Sequence, residues 1–115
     1  MRLLGGRGED LAARFLARKG LKVLERNFRC PAGEVDIIAR DGETVVFVEV
    51  KTRRGGLFGH PLEAVHSTKR DRLRKTALFY LSTRGGEAPA RFDIVGINLG
   101  PGAPEIEHVE DAFGL

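Results

Sequence analysis

The spacing of apolar and polar residues along the chain predicts two helices. Apolar residues at helical spacing indicate a first helix over residues 8–19, and Gly20 is placed to end it in a left-handed cap. A second helix is predicted over residues 67–84, with Ser67 as its N-cap. When the apolar stripe of this helix is extended one turn back, it reaches Lys69. Lys69 is therefore expected to point toward the sheet.

Runs of β-branched and apolar residues predict the strands. Residues 21–29 indicate a first strand, and residues 33–39 and 44–51 indicate a β-hairpin. The strongly apolar residues 91–97 predict an interior strand, and residues 105–110, which are mostly polar, predict an edge strand. Strands separated by helices in this order predict an α/β domain with a central mixed sheet flanked by helices.

The hairpin places acidic side chains inside strands that otherwise have buried character. If Asp41-Gly42 forms the loop, Asp36 lies opposite Phe47 and Glu34 lies opposite Glu49. This register collects a set of apolar residues on one face, and a shift by one residue would scatter them. The set is Val35, Ile37, Val46, Val48 and Val50. It makes Asp36 and Glu49 diagonal neighbours on the other face.

Asp36 and Glu49 together suggest a cation site. At roughly 5 Å and an effective dielectric constant near 20, two carboxylates repel each other by about 3 kcal/mol, which a cation between them would relieve. Hard oxygen ligands without thiolate or imidazole partners favour Mg²⁺ or Mn²⁺ over zinc. Lys51 is on the same face as Glu49, so its ammonium can reach the same position. Such a site can activate a water molecule and stabilise charge on a phosphate.

Length and composition limit the class of protein. The 115 residues suffice for one core, so we interpret residues 1–115 as a single domain. No apolar run approaches the ~20 residues that span a bilayer, and the N-terminal residues lack the apolar core of a signal peptide. With a single cysteine, Cys30, the sequence predicts a cytoplasmic protein without a membrane partner.

Positive charge is concentrated downstream of the hairpin. Between Lys51 and Lys75 there are eight lysines and arginines and two acidic residues, a local charge of +6, so the rest of the chain carries −3. This distribution favours a polyanion lying across the acidic site, although a solvated helix face would give the same charge run. The candidate phosphate contacts are Arg53, Arg54, Lys69, Arg70 and Arg72.

Two other chemistries are rejected. Residues 52–61 form a glycine-rich loop, but it lacks the spacing of a nucleotide-binding phosphate loop, so no nucleotide cofactor is expected. His60, His66 and His108 have no partner at zinc-ligand spacing, and we expect them at surface or loop positions.

The order of these motifs resembles a known family. Asp36 followed by Glu49-Val50-Lys51 resembles the Asp…Glu-x-Lys core of the restriction-endonuclease-like superfamily. The wider set resembles the YraN-type family of bacterial endonuclease-like proteins, which is similar to archaeal Holliday-junction resolvases in fold and motif order. The matching positions are Gly8-Glu9, Gly33-Glu34-Val35-Asp36, Phe47-Val48-Glu49-Val50-Lys51-Thr52-Arg53, Phe58-Gly59, Lys69 and Arg91-Phe92-Asp93.

The resemblance implies a restriction-endonuclease-like α-β-β-β-α-β core and Mg²⁺-dependent hydrolysis of DNA, including branched DNA. Asp36 and Glu49 would bind the metal with the backbone carbonyl of Val50, and Lys51 would position the attacking water. Cleavage of paired strands would require a homodimer. Glu34 and Glu9 would be auxiliary acids.

Alternative interpretations stay open at this point. Glu9 could instead be favoured by the positive end of the first helix dipole, and Lys69 could contact a phosphate, an acidic ligand or only solvent. The whole site could belong to a non-catalytic nucleic-acid-binding module or assembly factor. Its charged residues could also be structural ion pairs.

Overall fold

The computed structural model describes residues 4–54, 65–84 and 87–115 of the chain. The helices and strands of these residues confirm the predicted order and add the predicted edge strand. They are α1 (Leu4–Arg18), β1 (Lys22–Cys30), β2 (Gly33–Asp41), β3 (Thr44–Arg54), α2 (Ser67–Thr83), β4 (Ala90–Leu99) and β5 (Glu105–Phe113).

The strands form one mixed sheet in the order β1-β2-β3-β4-β5. Neighbouring strands are antiparallel except β3 and β4, which are parallel and are joined by the connection that contains α2. A parallel pair needs such a crossover connection, and α2 therefore lies on one face of the sheet. In the strand order, β3 is the central strand. The α/β core is consistent with a restriction-endonuclease-like fold, as predicted.

The predicted register of the hairpin is wrong by two residues. Ile38 lies opposite Phe47 and Asp41 lies opposite Thr44. The loop is therefore Gly42–Glu43, and its glycine adopts the positive φ of 61° that a tight hairpin turn requires. Since side chains alternate with a period of two, a shift of two residues does not by itself move a side chain to the other face.

Each face of the sheet packs against one helix. The cluster on the α1 face contains Ala12, Leu16, Leu21, Ile37, Ala39, Val46, Val48, Val95, Ile97 and Leu99. The cluster on the α2 face contains Val35, Ile38, Phe47, Val65, Leu73, Ala77, Tyr80, Phe92, Ile94 and Phe113.

Val35 corrects the predicted face assignment, which placed it beside Ile37. Val35 packs in the α2 cluster and Ile37 in the α1 cluster. Their partners on β1 are Phe28 and Arg26. Asn27, between those partners, has a positive φ of 54°. β1 continues through Asn27 to Cys30, but its regular alternation is interrupted at Asn27.

The predicted C-terminal end of α1 is confirmed, whereas α1 begins at Leu4 instead of residue 8 and the N-cap of α2 is corrected. Gly20 has a φ of 96°, and Leu21 N–H donates to the carbonyl of Leu16 at 3.0 Å, so α1 ends in the predicted left-handed cap. The N-cap of α2 is His66, not Ser67, and its side chain makes no capping hydrogen bond. Arg70 N–H donates to the carbonyl of His66 at 2.9 Å, which makes His66 the flanking residue.

The C-terminal residues dock on the core. Phe113 ends β5 and stacks on Phe92 with ring centroids 4.7 Å apart. Arg74 Nε donates to the carbonyl of Gly114 at 2.8 Å. β5 lies at the edge of the sheet, as predicted. Of the described residues, neither helix has the length and apolar character needed to cross a membrane.

Gly8 of α1 lies against Thr52 of β3 without room for a side chain. A Cβ at position 8 would collide with Thr52 Oγ1 and lie 2.9 Å from Thr52 Cβ. We expect Gly8→Ala to lower the free energy of unfolding by about 1–3 kcal/mol, even though alanine is intrinsically the better helix former. Urea denaturation measures this difference. Gly102→Ala, at an open position, is the control and should change stability by less than about 0.5 kcal/mol. Equal stability of both variants would contradict the close packing of α1.

Candidate metal site

Two carboxylates meet where the regular pairing of β2 and β3 ends. The last paired residues are Ile37 and Val48, and Asp36 and Glu49 are the next residues of the two strands beyond that pair. Asp36 Oδ2 accepts a hydrogen bond from the backbone N–H of Val50 at 2.7 Å. The side chains of Asp36 and Glu49 hydrogen-bond to each other. The predicted meeting of the two carboxylates is confirmed.

Burial controls the protonation of this carboxylate pair, Asp36 and Glu49. The Glu49 side chain is 7% exposed. Burial, followed by the hydrogen bond and the charge of Glu49, raises the pKa of Asp36 to about 8, while the Val50 N–H opposes the rise. Two carboxyl groups in contact cannot both ionise at low cost, and with its pKa raised to about 8 the Asp36 carboxyl keeps its proton near neutral pH.

Helix α2 supplies a cation to the pair. Lys69, in the first turn of α2, forms an ion pair with Glu49 through Nζ and Oε2. Burial lowers the pKa of Lys69, but the hydrogen bond and charge of Glu49 outweigh burial, and the net pKa is raised. The prediction that Lys69 points toward the sheet is confirmed, and its partner is an acidic side chain.

A second lysine, Lys51, adjoins the same group. Its ammonium lies close enough to that of Lys69 for the two positive charges to repel each other. Burial and the charge of Lys69 lower the pKa of Lys51, against the opposing effect of Glu49 and Asp36. Asp36, Glu49, Lys51 and Lys69 therefore form one cluster, which combines two acids with two cations of opposite pKa shift.

Glu9 approaches the cluster from α1. Its charge raises the pKa of Asp36, so the two side chains interact electrostatically. Helix α1 begins at Leu4, and its first turn holds no acidic residue. Because the helix-dipole effect falls off within the first turn, the dipole no longer accounts for Glu9.

A pocket of about 670 Å³ lies beside Lys69. It is lined by Gly33, Glu34, His66, Thr68, Lys69, Arg72 and Leu73. Glu34, predicted as an auxiliary ligand, is exposed and forms an ion pair with Arg29 at 3.1 Å. The structure thus places Glu34 at the pocket wall, where its negative charge is balanced by Arg29. His66 and Thr68 were not predicted, since their only sequence signal is their position at the start of a helix.

The other residues predicted to contact phosphate differ in their positions and in their exposure to solvent. Arg70 Nε donates to the carbonyl of Val65 at 2.9 Å, and its guanidinium lies 5.4 Å from the centre of the Phe113 ring. Arg70 is therefore engaged in packing α2 against the C-terminal residues. Arg53 is half-buried and Arg54 is exposed at the end of β3. The roles of these arginines in binding DNA stay predictions.

Part of the predicted glycine-rich loop lies outside the described residues. These positions are residues 55–61, with the motif Phe58-Gly59 and the histidine His60. Residues 52–54 are the described part of that prediction, and there the predicted loop is wrong, because these residues continue β3 to Arg54.

The donor set of the carboxylate pair fits a hard divalent cation. Within residues 4–54, 65–84 and 87–115 no group of three or more His, Cys, Asp and Glu side chains could hold a metal. Mg²⁺ is commonly held by one or two carboxylates, with water and substrate phosphate completing its shell. Asp36 and Glu49 match that requirement, and a divalent ion would offset the burial and the charge of Glu49 that raise the pKa of Asp36. The backbone carbonyl of Val50 and the carboxylate of Glu9 are further candidate donors.

A second polar network surrounds Asp93 on β4. The Asp93 side chain is fully buried and accepts hydrogen bonds from Arg91 Nε at 3.0 Å and from the Asp111 N–H at 3.0 Å. His108 Nε2 lies 2.8 Å from Asp93 Oδ2. Arg91 and Asp93, which are two residues apart on β4, therefore pair with each other. The expectation of a surface or loop position is wrong for His108, whose side chain is 3% exposed on β5, because Asp93 supplies the polar partner that allows its burial.

Comparison with known proteins assigns the chain to a family. The family model described as "Uncharacterised protein family UPF0102" matches residues 8–97. A UPF0102 protein of Geobacter sulfurreducens is 52% identical, covering 99% of this chain and 91% of the relative. A UPF0102 protein of Streptomyces griseus is 56% identical, covering 91% of each chain. One from Thermodesulfovibrio yellowstonii is 49% identical, covering 96% of this chain and 95% of the relative. From these matches, the chain belongs to the uncharacterised protein family UPF0102, the YraN-type family resembled by its motifs.

Proposed function

We propose that this protein is a metal-dependent endonuclease that hydrolyses phosphodiester bonds in DNA. The observation that carries the proposal is the buried pair of Asp36 and Glu49, in contact with two lysines on the same patch. A buried carboxylate pair is costly to a fold. Such a pair is nevertheless useful where it must hold a divalent ion against a phosphate.

The roles of the residues follow from their positions. Asp36 and Glu49 would hold Mg²⁺ or Mn²⁺, with the carbonyl of Val50 as a further ligand. When bound, the ion neutralises phosphate charge and lowers the pKa of a water molecule. Lys51, whose lowered pKa is set by burial and Lys69, orients the attacking water and offsets charge on the phosphate. Glu9 would contact the metal ion through a water molecule.

The substrate class is proposed from charge and from the family resemblance. Arg54 on β3 and Arg72 on α2 are both exposed, and both can contact a phosphate backbone. Branched DNA would require a homodimer that presents two such sites, and we include both in the proposal. We also propose a cytoplasmic location, where DNA and a reduced Cys30 would coexist.

A cleavage assay tests this function. Purified protein is incubated with labelled duplex, single-stranded and four-way-junction DNA, with Mn²⁺ or with EDTA. We expect cleavage of at least one substrate with Mn²⁺ only, and a rate about 100-fold or more lower for Lys51→Ala. Lys75→Ala, at a position on α2 away from the cluster, is the matched control and should retain the wild-type rate. Binding of DNA without cleavage under any condition would instead favour a non-catalytic binding module.

A further inference from the structure

The cation that pairs with Glu49 in the structure is the ammonium of Lys69. We propose that Lys69 is a displaceable internal cation, which holds Glu49 in the metal-free protein and is drawn away by a substrate phosphate, so that DNA binding and metal binding strengthen each other. This inference rests on the proposed function, because it requires a divalent ion at Asp36 and Glu49. Lys69 is then a positioning residue that acts through Glu49.

The ion pair joins the same carboxylate that a metal would need. Lys69 Nζ contacts Glu49 Oε2, and Glu49 is also a partner of the Asp36 carboxyl group. A divalent ion between the two acids would therefore meet the ammonium of Lys69 at close range. Two cations at one buried oxygen repel each other strongly. Only the metal or Lys69 can therefore stay in contact with that oxygen.

Exposure decides which partner can move. The Glu49 side chain is 7% exposed and is fixed on the central strand, whereas the Lys69 side chain is 39% exposed at the start of α2. A lysine has a flexible four-carbon stem and keeps its ammonium well hydrated when it swings outward. Lys69 can leave the pair without any movement of the backbone.

The pocket beside Lys69 gives the direction of that movement. Thr68, Lys69 and Arg72 line the pocket together, and the first turn of α2 contains no acidic residue. A phosphate in the pocket would attract Lys69 from the solvent side, with Arg72 as a second cation. The carboxylate of Glu49 would then be available to a divalent ion.

Thermodynamic linkage makes the proposal measurable. If DNA removes Lys69 from Glu49, DNA must raise the affinity for the metal, and the metal must raise the affinity for DNA by the same factor. Couplings of this kind are typically about 5- to 150-fold. The phosphate field alone also attracts metal ions, so the part due to Lys69 is found by removing its charge.

The experiment measures the Kd of Mn²⁺ by isothermal titration calorimetry, with and without a phosphorothioate duplex that resists hydrolysis. We expect Lys69→Met to bind Mn²⁺ about tenfold more tightly than wild type without DNA. The duplex should then improve the affinity of wild type about tenfold and that of Lys69→Met less than about threefold. Lys69→Arg, which keeps the charge, should bind Mn²⁺ as weakly as wild type.

The charge control is Lys75→Met, which removes a lysine from the same helix and should match wild type in both conditions. Equal affinities in Lys69→Met and wild type would overturn the inference and leave the proposed function intact. A gain of affinity in Lys75→Met as large as that in Lys69→Met would also overturn the inference, since the effect would then be one of general charge. If no variant binds Mn²⁺ at all, the metal site is absent, and the proposed function fails together with the inference.

Discussion

Asp36→Asn is expected to abolish metal binding and yet to make the metal-free protein more stable. Asparagine can still accept the hydrogen bond from the Val50 N–H through its amide oxygen, and it removes the carboxyl group that is buried against Glu49. Without Asp36 the site keeps a single buried carboxylate, which is paired with Lys69. We expect the affinity for Mn²⁺ to fall about 100-fold or more.

The gain in stability should depend on pH in a defined direction. The pKa of Asp36 is raised from 3.8 to about 8 by burial and by Glu49. In wild type the unfolded chain ionises Asp36 above pH 3.8, while the folded protein keeps the proton until about pH 8. Wild-type stability from this group is therefore full below pH 3.8 and is lost as the pH rises to about 8. Asp36→Asn escapes that loss, so its advantage should grow from about pH 4 to about pH 8 and reach the order of 2 kcal/mol.

Urea denaturation in EDTA at about pH 5, 6.5 and 8 measures this advantage across the range in which the Asp36 carboxyl titrates, and calorimetry measures Mn²⁺ binding. Glu34→Gln is the matched control, since Glu34 is an exposed acid of the same strand with its partner on β1. It should leave Mn²⁺ affinity and the pH dependence nearly unchanged. A less stable Asp36→Asn protein that still binds Mn²⁺ with wild-type affinity would refute the metal-site interpretation.

Asp93→Asn should cause a large loss of stability although the substitution is conservative in shape. Burial alone would raise the pKa of Asp93, but hydrogen bonds from His108, Arg91 and the Asp111 N–H outweigh it, so the net pKa is lowered. An amide keeps the shape but removes the charge, and its NH₂ group would face donors instead of accepting from them. Breaking one member of a buried charged network costs about 3–5 kcal/mol, and we expect a loss at the lower end of that range.

The loss should be concentrated at the edge of the sheet. β5 is irregular opposite Asp93, between Phe92 and Ile94 of β4, and Asp111 there has a positive φ of 50°. The Asp93 carboxylate accepts the backbone N–H of Asp111 and so fixes this bulge. Hydrogen exchange should show faster exchange in β5 of Asp93→Asn than in β2 or β3.

Asp71→Asn is the control for this substitution, because Asp71 is exposed and pairs with Arg74 on the surface of α2. It should cost less than about 0.5 kcal/mol. The anchoring role of Asp93 is contradicted if Asp93→Asn unfolds within about 0.5 kcal/mol of wild type in urea, or if its β5 amides exchange at the wild-type rate. Since the unfolded carboxyl has its ordinary pKa, wild-type stability from Asp93 should be present above about pH 4 and be lost below it.

The local pattern predicted the elements because it reports local geometry. The alternation in β2 and β3 identified the hairpin, and the period of two kept Asp36 and Glu49 on a common patch even though the predicted register was off by two residues. The start of α1 could not be placed, because Gly5, Gly6 and Gly8 are weak helix formers that only packing retains in the helix. That extension changed the interpretation of Glu9.

The predictions for Val35 and His108 were wrong for the same reason. Both positions depend on contacts between parts of the chain that are distant in sequence. Val35 turned to the α2 face beside the irregular Asn27 of the neighbouring strand. His108 is buried because Asp93, fifteen residues earlier, is its partner on the adjacent strand. No pattern along one strand contains either fact.

By itself the sequence determined the order of helices and strands, the paired acids of the hairpin and the basic residues that follow them. The reason is that periodicity and composition are local properties of the chain. Only the tertiary structure decided that Lys69 pairs with Glu49, that Arg70 is held by Val65 and Phe113, and that Asp93 anchors β5. The physical reason is that each of these depends on how a helix or an edge strand docks on the sheet. That docking sets distances between side chains far apart in sequence, and it fixes the burial that shifts their pKa values.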